Sequence, residues 1–149
     1  MFDGAIAFNQ DLNTWDVSNV LTTAAMFKNS TFNGDITTWN TASVTDMSNM
    51  FDNAQLFNKD ISSWNTSSVT NMSNMFNAAG AFDQPINSWN VSNVTNMGAM
   101  FKGATSFNQS LSFWNTSALT DMNQMFMNAS FFGINSRIVT GKQIGGAHV

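Results

Sequence analysis

The sequence lacks several residue types on which many active sites and folds depend. Its 149 residues include no Cys, Tyr or Glu, one Pro and one His, and only 9% of them are charged. The missing Cys excludes disulfides, thiolate catalysis and Cys-ligated metal sites. With a single His, at position 148, we expect neither a catalytic triad nor a zinc site. The sequence therefore predicts no enzyme, no metal site and no cofactor.

The charge balance and the apolar pattern argue against two further kinds of partner. The acidic residues, all Asp, outnumber the basic ones and give a net charge of −4, whereas nucleic-acid binding needs clustered Lys and Arg. No apolar run is long enough to span a bilayer, and the start, Met1 to Gly4, lacks the regions of a signal peptide. Since 43% of residues are hydrophobic, we expect a folded chain with no nucleic-acid partner and no membrane span.

The abundant residues recur with a period of about 25, and we call equivalent positions in successive periods a column. One column is Trp15, Trp39, Trp64, Trp89 and Trp114. Seven residues before each Trp is Phe8, Phe32, Phe57, Phe82 or Phe107. Further columns hold Ile or Leu, Val, Met, and a Met-Phe pair such as 75–76. One connection is a residue shorter than the rest, because Phe32 follows Phe27 by five positions instead of six.

The second half of each period has the apolar spacing of a short helix. Val69, Met72, Met75, Phe76 and Ala79 repeat at steps of three and four, which is typical of one helical face. A column of Thr precedes these segments and is predicted to supply N-caps. Its members are Thr45, Thr70, Thr95 and Thr120.

The first half of each period, as in 57–64, is polar with isolated large apolar residues and predicts a short strand followed by a turn. One such unit cannot bury its apolar face alone, so neighbouring units must stack. The predicted fold class is a leucine-rich-repeat-like α/β solenoid of about five strand-turn-short-helix units with a parallel strand ladder. We expect residues 1–132 to form one array that begins in mid-repeat, and 133–149 to form a degenerate last strand and a tail or cap.

Two columns have a predicted structural role. The Trp column can be core, or it can form an exposed stacking strip, and core is favoured because the tail has Val139 at the same position. The residues after the Trp are predicted to hydrogen-bond the turns to one another. They are Asp16, Asn40, Asn65, Asn90 and Asn115.

The stretch Phe57-Asn-Lys-Asp-Ile-Ser-Ser-Trp-Asn-Thr-Ser-Ser-Val-Thr-Asn-Met-Ser-Asn-Met-Phe76 resembles the repeats of BspA-like leucine-rich-repeat surface proteins and lipoproteins of bacteria. The resemblance covers about residues 1–132. It implies a cell-surface or extracellular protein involved in adhesion or partner contact, without an assigned catalytic activity.

Polar residues that alternate with the Ile/Leu column are predicted to form an outward binding face. They are Asp11, Asn13, Asp35, Thr37, Asp60, Ser62, Asn87 and Ser112. A flat, nearly uncharged face of hydroxyl and amide groups suits a protein or glycan partner. Stacked carboxylates of Asp11, Asp35 and Asp60 leave a calcium site as a minor alternative, although no acid-rich ligand loop surrounds them.

Two functions from different classes follow from this pattern. The first is a non-enzymatic recognition or adhesion module that presents the polar face to a protein or glycan. The alternative is a structural subunit that forms a homo-oligomer by end-to-end stacking through an uncapped end. That end consists of Met1, Phe2, Ile6 and Phe8.

Overall fold

The structure, a computed structural model, describes residues 1–132 as a succession of tight turns with no helix and no strand. Each unit of about 25 residues lies against the next through backbone hydrogen bonds. Pairing of the β type within this range is limited to isolated parallel bridges between single residues. The bridges join Thr22 to Asp46, Asp46 to Asn71, Asn71 to Asn96, and Asn96 to Asp121. The predicted α/β leucine-rich-repeat-like solenoid with a parallel strand ladder is therefore wrong, and the predicted last strand and tail at 133–149 lie outside the described residues.

The segment predicted as a helix, 69–79, uses its backbone hydrogen bonds in two other ways. The N–H of Asn74 donates to the carbonyl of Gly98 in the following unit at 2.9 Å, whereas that of Met75 closes a turn on Met72 at 3.2 Å. An α-helix instead needs every N–H to bond the carbonyl four residues back. The left-handed φ of 54° at both Asn74 and Ala78 also interrupts any right-handed helix.

The Thr column predicted to cap helices connects neighbouring units instead. Thr70 donates its N–H at 2.9 Å and its hydroxyl at 3.2 Å to the same acceptor, the carbonyl of Thr45. Thr45, Thr95 and Thr120 make the same pair of bonds to Leu21, Thr70 and Thr95. Because no helix follows these residues, the N-cap prediction is wrong.

A second ladder runs through a column of side-chain acceptors just after the Phe column. Asn58 donates its N–H to Asn33 Oδ1 at 2.9 Å, and its own Oδ1 accepts from the Asp83 N–H at 3.0 Å. The side chains of the column predicted to link the turns bond within their own turns, as Asn65 Oδ1 does in accepting from the Ser67 N–H at 3.0 Å. The predicted side-chain ladder is therefore wrong. The backbone of this column does link units, because the Asn65 carbonyl accepts from the Thr41 hydroxyl at 2.9 Å.

The apolar columns predicted as core are buried in the middle units, whereas several members toward the two ends are only partly buried: Phe2, Phe8, Val20, Met26, Leu119 and Met122. Phe76 is fully buried and its ring stacks at 5.6 Å on both Phe51 and Phe101, and at 3.9 Å on Phe82. Equivalent Phe rings repeat this arrangement along the described residues, so each unit covers the rings of its neighbour. Such stacks contribute through apolar burial and through offset ring contact.

The Trp column is also core, as the sequence favours, except at its first member. The four later Trp side chains are buried, whereas Trp15 is 41% exposed. Trp64 donates its indole N–H to the carbonyl of Ile36 at 3.2 Å, which satisfies the polar group of a buried ring. The other three buried indoles make the same bond to Leu12, Ile61 and Ile86.

The short connection between Phe27 and Phe32 is compensated by a side chain. The Ser30 hydroxyl donates to the Phe27 carbonyl at 2.6 Å and accepts from the Phe32 N–H at 3.3 Å. In the longer connections a backbone peptide makes the corresponding bonds, as Ala54 does for Phe51 and Phe57. The buried hydroxyl of Ser30 thus replaces a backbone group that the deletion removed.

We expect Thr23→Val to stabilise the protein. Thr23 is buried in a column that later units fill with Met, and its hydroxyl has no hydrogen-bond partner among the described residues. Removing an unsatisfied buried hydroxyl should raise the free energy of unfolding by about 1–3 kcal/mol. The matched variant Thr66→Val loses a 3.0 Å bond to the Asn90 carbonyl, so it should lower stability by about 0.5–1.5 kcal/mol. Urea denaturation measures both, and shifts of the same sign would contradict the expectation.

Candidate functional site

A shallow, open groove with a volume of about 320 Å³ lies across three neighbouring units. Its lining consists mostly of amide, hydroxyl and carboxylate side chains. The lining residues are Ser73, Asn74, Asn96, Gly98, Ala99, Asp121, Asn123 and Gln124. Because bridges join Asn71 to Asn96 and Asn96 to Asp121, the middle unit lies between the other two.

Gly98 lines the groove, and its missing side chain leaves room for two neighbouring polar side chains. Its column carries Ala24, Ser48, Ser73 and Asn123 in the other units. A Cβ added at Gly98 would lie 3.1 Å from Asp121 Oδ2 and 3.2 Å from Asn96 Oδ1. The carboxylate and the carboxamide therefore reach into the space that a side chain would otherwise fill.

Local hydrogen bonds hold these two side chains in place. Asn96 Oδ1 accepts from the Gly98 N–H at 2.8 Å, and Asp121 Oδ1 accepts from the Asn123 N–H at 2.9 Å. Asp and Asn favour this turn because their short side chains reach a backbone N–H two residues on. The backbone is fixed as well, since Ala99 donates to the Asn123 carbonyl at 2.8 Å. The groove is thus built on restrained turns.

Several polar groups of the lining are left over after the fold has used its own hydrogen bonds. Within the described residues, no protein partner is bonded to Asp121 Oδ2, Asn96 Nδ2, the Ser73 hydroxyl or the Asn123 carboxamide. Gln124 differs, because its Oε1 accepts from Lys102 Nζ at 2.7 Å. The free groups include both donors and acceptors, so the groove can bond a ligand rich in hydroxyl groups.

Most of the chain matches the model of a protein family. The family described as "Mycoplasma protein of unknown function, DUF285" matches residues 1–37 and 25–138. The chain belongs to this family. DUF285 is a different family from the BspA-like leucine-rich repeats and only loosely related to it, so the predicted family membership is wrong. Comparisons with curated proteins and with solved structures gave no match.

The predicted binding face of this DUF285 chain lies outside the groove, and its carboxylates accept hydrogen bonds from backbone N–H groups. Asp35 Oδ1 accepts from the Thr37 N–H at 3.0 Å, and Asp60 Oδ1 accepts from the Ser62 N–H at 2.9 Å. Asp11 Oδ1 accepts from the Asp35 N–H in the next unit at 2.8 Å. The described residues contain no group of three or more potential metal-ligating His, Cys, Asp or Glu side chains, so these Asp residues do not converge as a calcium site.

Among the remaining members of the predicted face, two Asn side chains bond the next unit and Ser112 bonds within its own unit. Asn13 Oδ1 accepts from the Thr38 N–H at 3.1 Å, and Asn87 Oδ1 accepts from the Phe113 N–H at 2.9 Å. Ser112 is half-buried, and its hydroxyl accepts from that of Ser110 at 3.1 Å. These bonds keep the face rigid, and ligand binding by it stays a prediction.

The residues predicted as an assembly end are only partly covered. Phe2 and Phe8 stack at 4.2 Å, and Phe2 also stacks on Phe27 at 5.5 Å. Met1 is 82% and Ile6 is 74% exposed. End-to-end assembly through them stays a prediction. Residues 1–132 contain no helix that is long and apolar enough to cross a bilayer.

The groove of this DUF285 chain was not predicted, because its residues fell in segments assigned to helices. A signal was present in the sequence, however. Gly98 lacks the side chain that every other member of its column has, and Asp121 lies one unit on from Asn96. A missing side chain beside a carboxylate makes this unit differ from the others. Such differences allow one part of a repetitive surface to bind a ligand that the other parts do not bind.

The Asp-based turns predict loss of stability in acid. The Ser62 N–H, followed by the Ser62 hydroxyl, holds the pKa of Asp60 below its ordinary value. A lowered folded-state pKa contributes stability above the unfolded-state pKa of about 4, and this contribution is lost as pH falls through the folded-state pKa. Asp60→Asn keeps the Oδ1 acceptor but cannot titrate, so its urea midpoint should fall less than that of the wild type between pH 6 and pH 2.5.

The reverse substitution is the control for this effect. Asn65→Asp places a carboxylate where Oδ1 already accepts from the Ser67 N–H at 3.0 Å, so its acid loss should exceed that of the wild type. If the urea midpoint fell equally between pH 6 and pH 2.5 in the wild type, Asp60→Asn and Asn65→Asp, the stabilising role of the Asp60 carboxylate would be contradicted.

Proposed function

We propose that this chain is a non-enzymatic recognition module whose polar outer surface binds a protein or glycan partner. The observation that carries the proposal is the groove at Gly98, in which Asp121 and Asn96 are each held through Oδ1 while Asp121 Oδ2 and Asn96 Nδ2 stay free within the described residues. Side chains that the fold needs are already hydrogen-bonded, as Asn58 and Thr70 are. Unused groups in a concave site are available to a ligand.

Rigidity supports the same proposal. The turns that carry Asn96 and Asp121 are fixed by their own side-chain bonds and by backbone bonds to neighbouring units. Binding to groups that are already held in place loses less conformational entropy than binding that must first order them. The site is therefore suited to holding a polar partner, and a cell-surface or extracellular location would give it access to one. That location stays a prediction.

Binding of labelled protein to a glycan microarray and to a phage-displayed peptide library tests the proposal. Gly98→Ser fills the groove with a residue that the same column already carries at Ser48 and Ser73. Gly80→Ala is the matched control, since its new Cβ would meet only Thr105 Oγ1, at 3.6 Å. We expect binding that Gly98→Ser abolishes and Gly80→Ala preserves. Absence of binding to both libraries, or equal binding by the two variants, would overturn the proposal.

A further inference from the structure

We propose that the groove at Gly98 binds a neutral saccharide, with Asp121 as the principal acceptor of its hydroxyl groups. This inference rests on the proposed recognition function and names the class of ligand. Asp121 Oδ1 is held by the Asn123 N–H at 2.9 Å, so Oδ2 keeps a defined direction. An added Cβ at Gly98 would lie 3.1 Å from Oδ2, which places this oxygen over the floor of the groove.

The free groups match the chemistry of a sugar ring. A sugar hydroxyl both donates and accepts, and the groove offers the carboxylate Oδ2 as acceptor and Asn96 Nδ2 as donor. The Asn123 carboxamide and the Ser73 hydroxyl extend the site on either side of Gly98. Hydrogen bonds from hydroxyls to a carboxylate are charge-assisted and stronger than those between neutral groups.

The charge of the groove disfavours anionic ligands. Asp121 is the charged residue of the lining, whereas Lys102, which keeps its positive charge while bonded to Gln124 at 2.7 Å, lies outside the lining. A sulfate or carboxylate on the ligand would have to lose water beside the Asp121 carboxylate, which like charges oppose. The net charge of −4 adds to this repulsion at longer range.

Other ligand classes fit less well. A calcium ion needs about six to eight oxygen ligands, whereas the lining has one carboxylate with one oxygen already bonded. An apolar ligand would leave the amide and hydroxyl groups of the lining without partners. A protein partner needs a patch of roughly 800 Å² on each side, which extends well beyond the eight residues that line the groove.

Asp121→Asn tests the assignment without disturbing the turn. Asn occupies the same column at positions 71 and 96, where its Oδ1 accepts the same local bond. The substitution replaces the free carboxylate oxygen, so affinity should fall about tenfold or more. Asp46→Asn is the matched control: it is the same change in the same column, outside the groove, and Asp46 Oδ1 bonds the Ser48 N–H at 2.9 Å. It should leave affinity within about twofold.

Isothermal titration calorimetry with maltotriose, cellotriose, mannotriose and triacetylchitotriose measures these affinities, and a heparin-derived hexasaccharide serves as the anionic probe. We expect at least one neutral probe to bind, the heparin fragment not to bind, and only Asp121→Asn to weaken binding. Binding of heparin or of selected peptides in place of the neutral probes would overturn the saccharide assignment while recognition stands. An unchanged affinity in Asp121→Asn would overturn the role of Asp121. No binding to any probe, microarray glycan or peptide would overturn both proposals.

Discussion

Phe76→Ala should lower the free energy of unfolding by about 3–5 kcal/mol, a large share of what holds a domain of this size together. The Phe76 ring is fully buried and stacks on Phe51, Phe82 and Phe101. Backbone bonds fix the units on both sides, as the 2.9 Å bond from the Phe76 N–H to the Met100 carbonyl shows. The surrounding residues therefore cannot move in to fill the cavity that the missing Phe76 ring leaves. The loss of stability should include the full effect of that cavity.

Phe113→Ser is the control for this prediction. Phe113 is 82% exposed and belongs to a column that carries Ser63 and Ser88, so the change should shift stability by no more than about 0.5 kcal/mol. Urea unfolding followed by Trp fluorescence compares the two variants with the wild type. Equal midpoints for Phe76→Ala and Phe113→Ser would contradict the stacked core.

Gly34→Ala should cost about 1–3 kcal/mol because it overpacks the shortened unit. A Cβ at Gly34 would overlap the Gln10 carbonyl oxygen and lie 2.7 Å from Phe32 Cε2. The backbone on each side is fixed by bonds to the preceding unit: the Asp35 N–H donates to Asp11 Oδ1 at 2.8 Å. Neither the ring nor the carbonyl can move away without breaking packing or hydrogen bonds.

Gly80→Ala separates this steric effect from the general effect of adding a methyl group. Its Cβ would make only an ordinary contact with Thr105 Oγ1 at 3.6 Å, so we expect no loss and a gain of about 0.4–1 kcal/mol from the unfolded state. Thermal and urea unfolding report both variants. A Gly34→Ala protein as stable as Gly80→Ala would show that the close approach at Gln10 is absent.

The core could be predicted from the sequence, but its secondary structure could not. Burial requires only that apolar side chains return to one side of the chain at regular steps, and Met72, Met75 and Phe76 do so. A run of tight turns produces steps of three and four as well as a helix does. The pattern therefore fixes which side chains face inward, whereas the hydrogen-bond partners depend on neighbouring units that a local pattern does not describe.

The left-handed residues illustrate the same limit. Asn often adopts positive φ, so Asn49 and Asn74 are unsurprising there, but Ala78 and Ala99 occupy the same region at φ values of 54° and 53°. Their conformation is imposed by bonds to the next unit, such as that from the Ala78 N–H to the Lys102 carbonyl at 2.7 Å. Local propensity alone assigns such Ala residues to a helix.

The candidate site could not be predicted from the repeat pattern, for a different reason. A repeating column describes what successive units share, whereas the groove depends on one missing side chain, at Gly98, and on one carboxylate, Asp121. The predicted binding face was chosen from the shared columns, and its side chains Asp35 and Asp60 are instead bonded within their turns. Residues that all units share identify the groups that support the fold, whereas residues that differ between units identify the candidate site.

Each unit contacts only the units next to it, and this affects how chains of this kind can change in length. Among residues 1–132, the hydrogen bonds and ring contacts that link distant positions, such as Thr70 to Thr45 and Phe76 to Phe101, join a unit only to those beside it. Duplication or loss of a whole unit would give every surviving group an equivalent partner. Loss of a single residue cannot do this, and the one such loss coincides with the Ser30 hydroxyl and the bare backbone of Gly34. Whole units can therefore be gained or lost without disrupting the remaining contacts. Loss of a residue within a unit requires a compensating change at the same place.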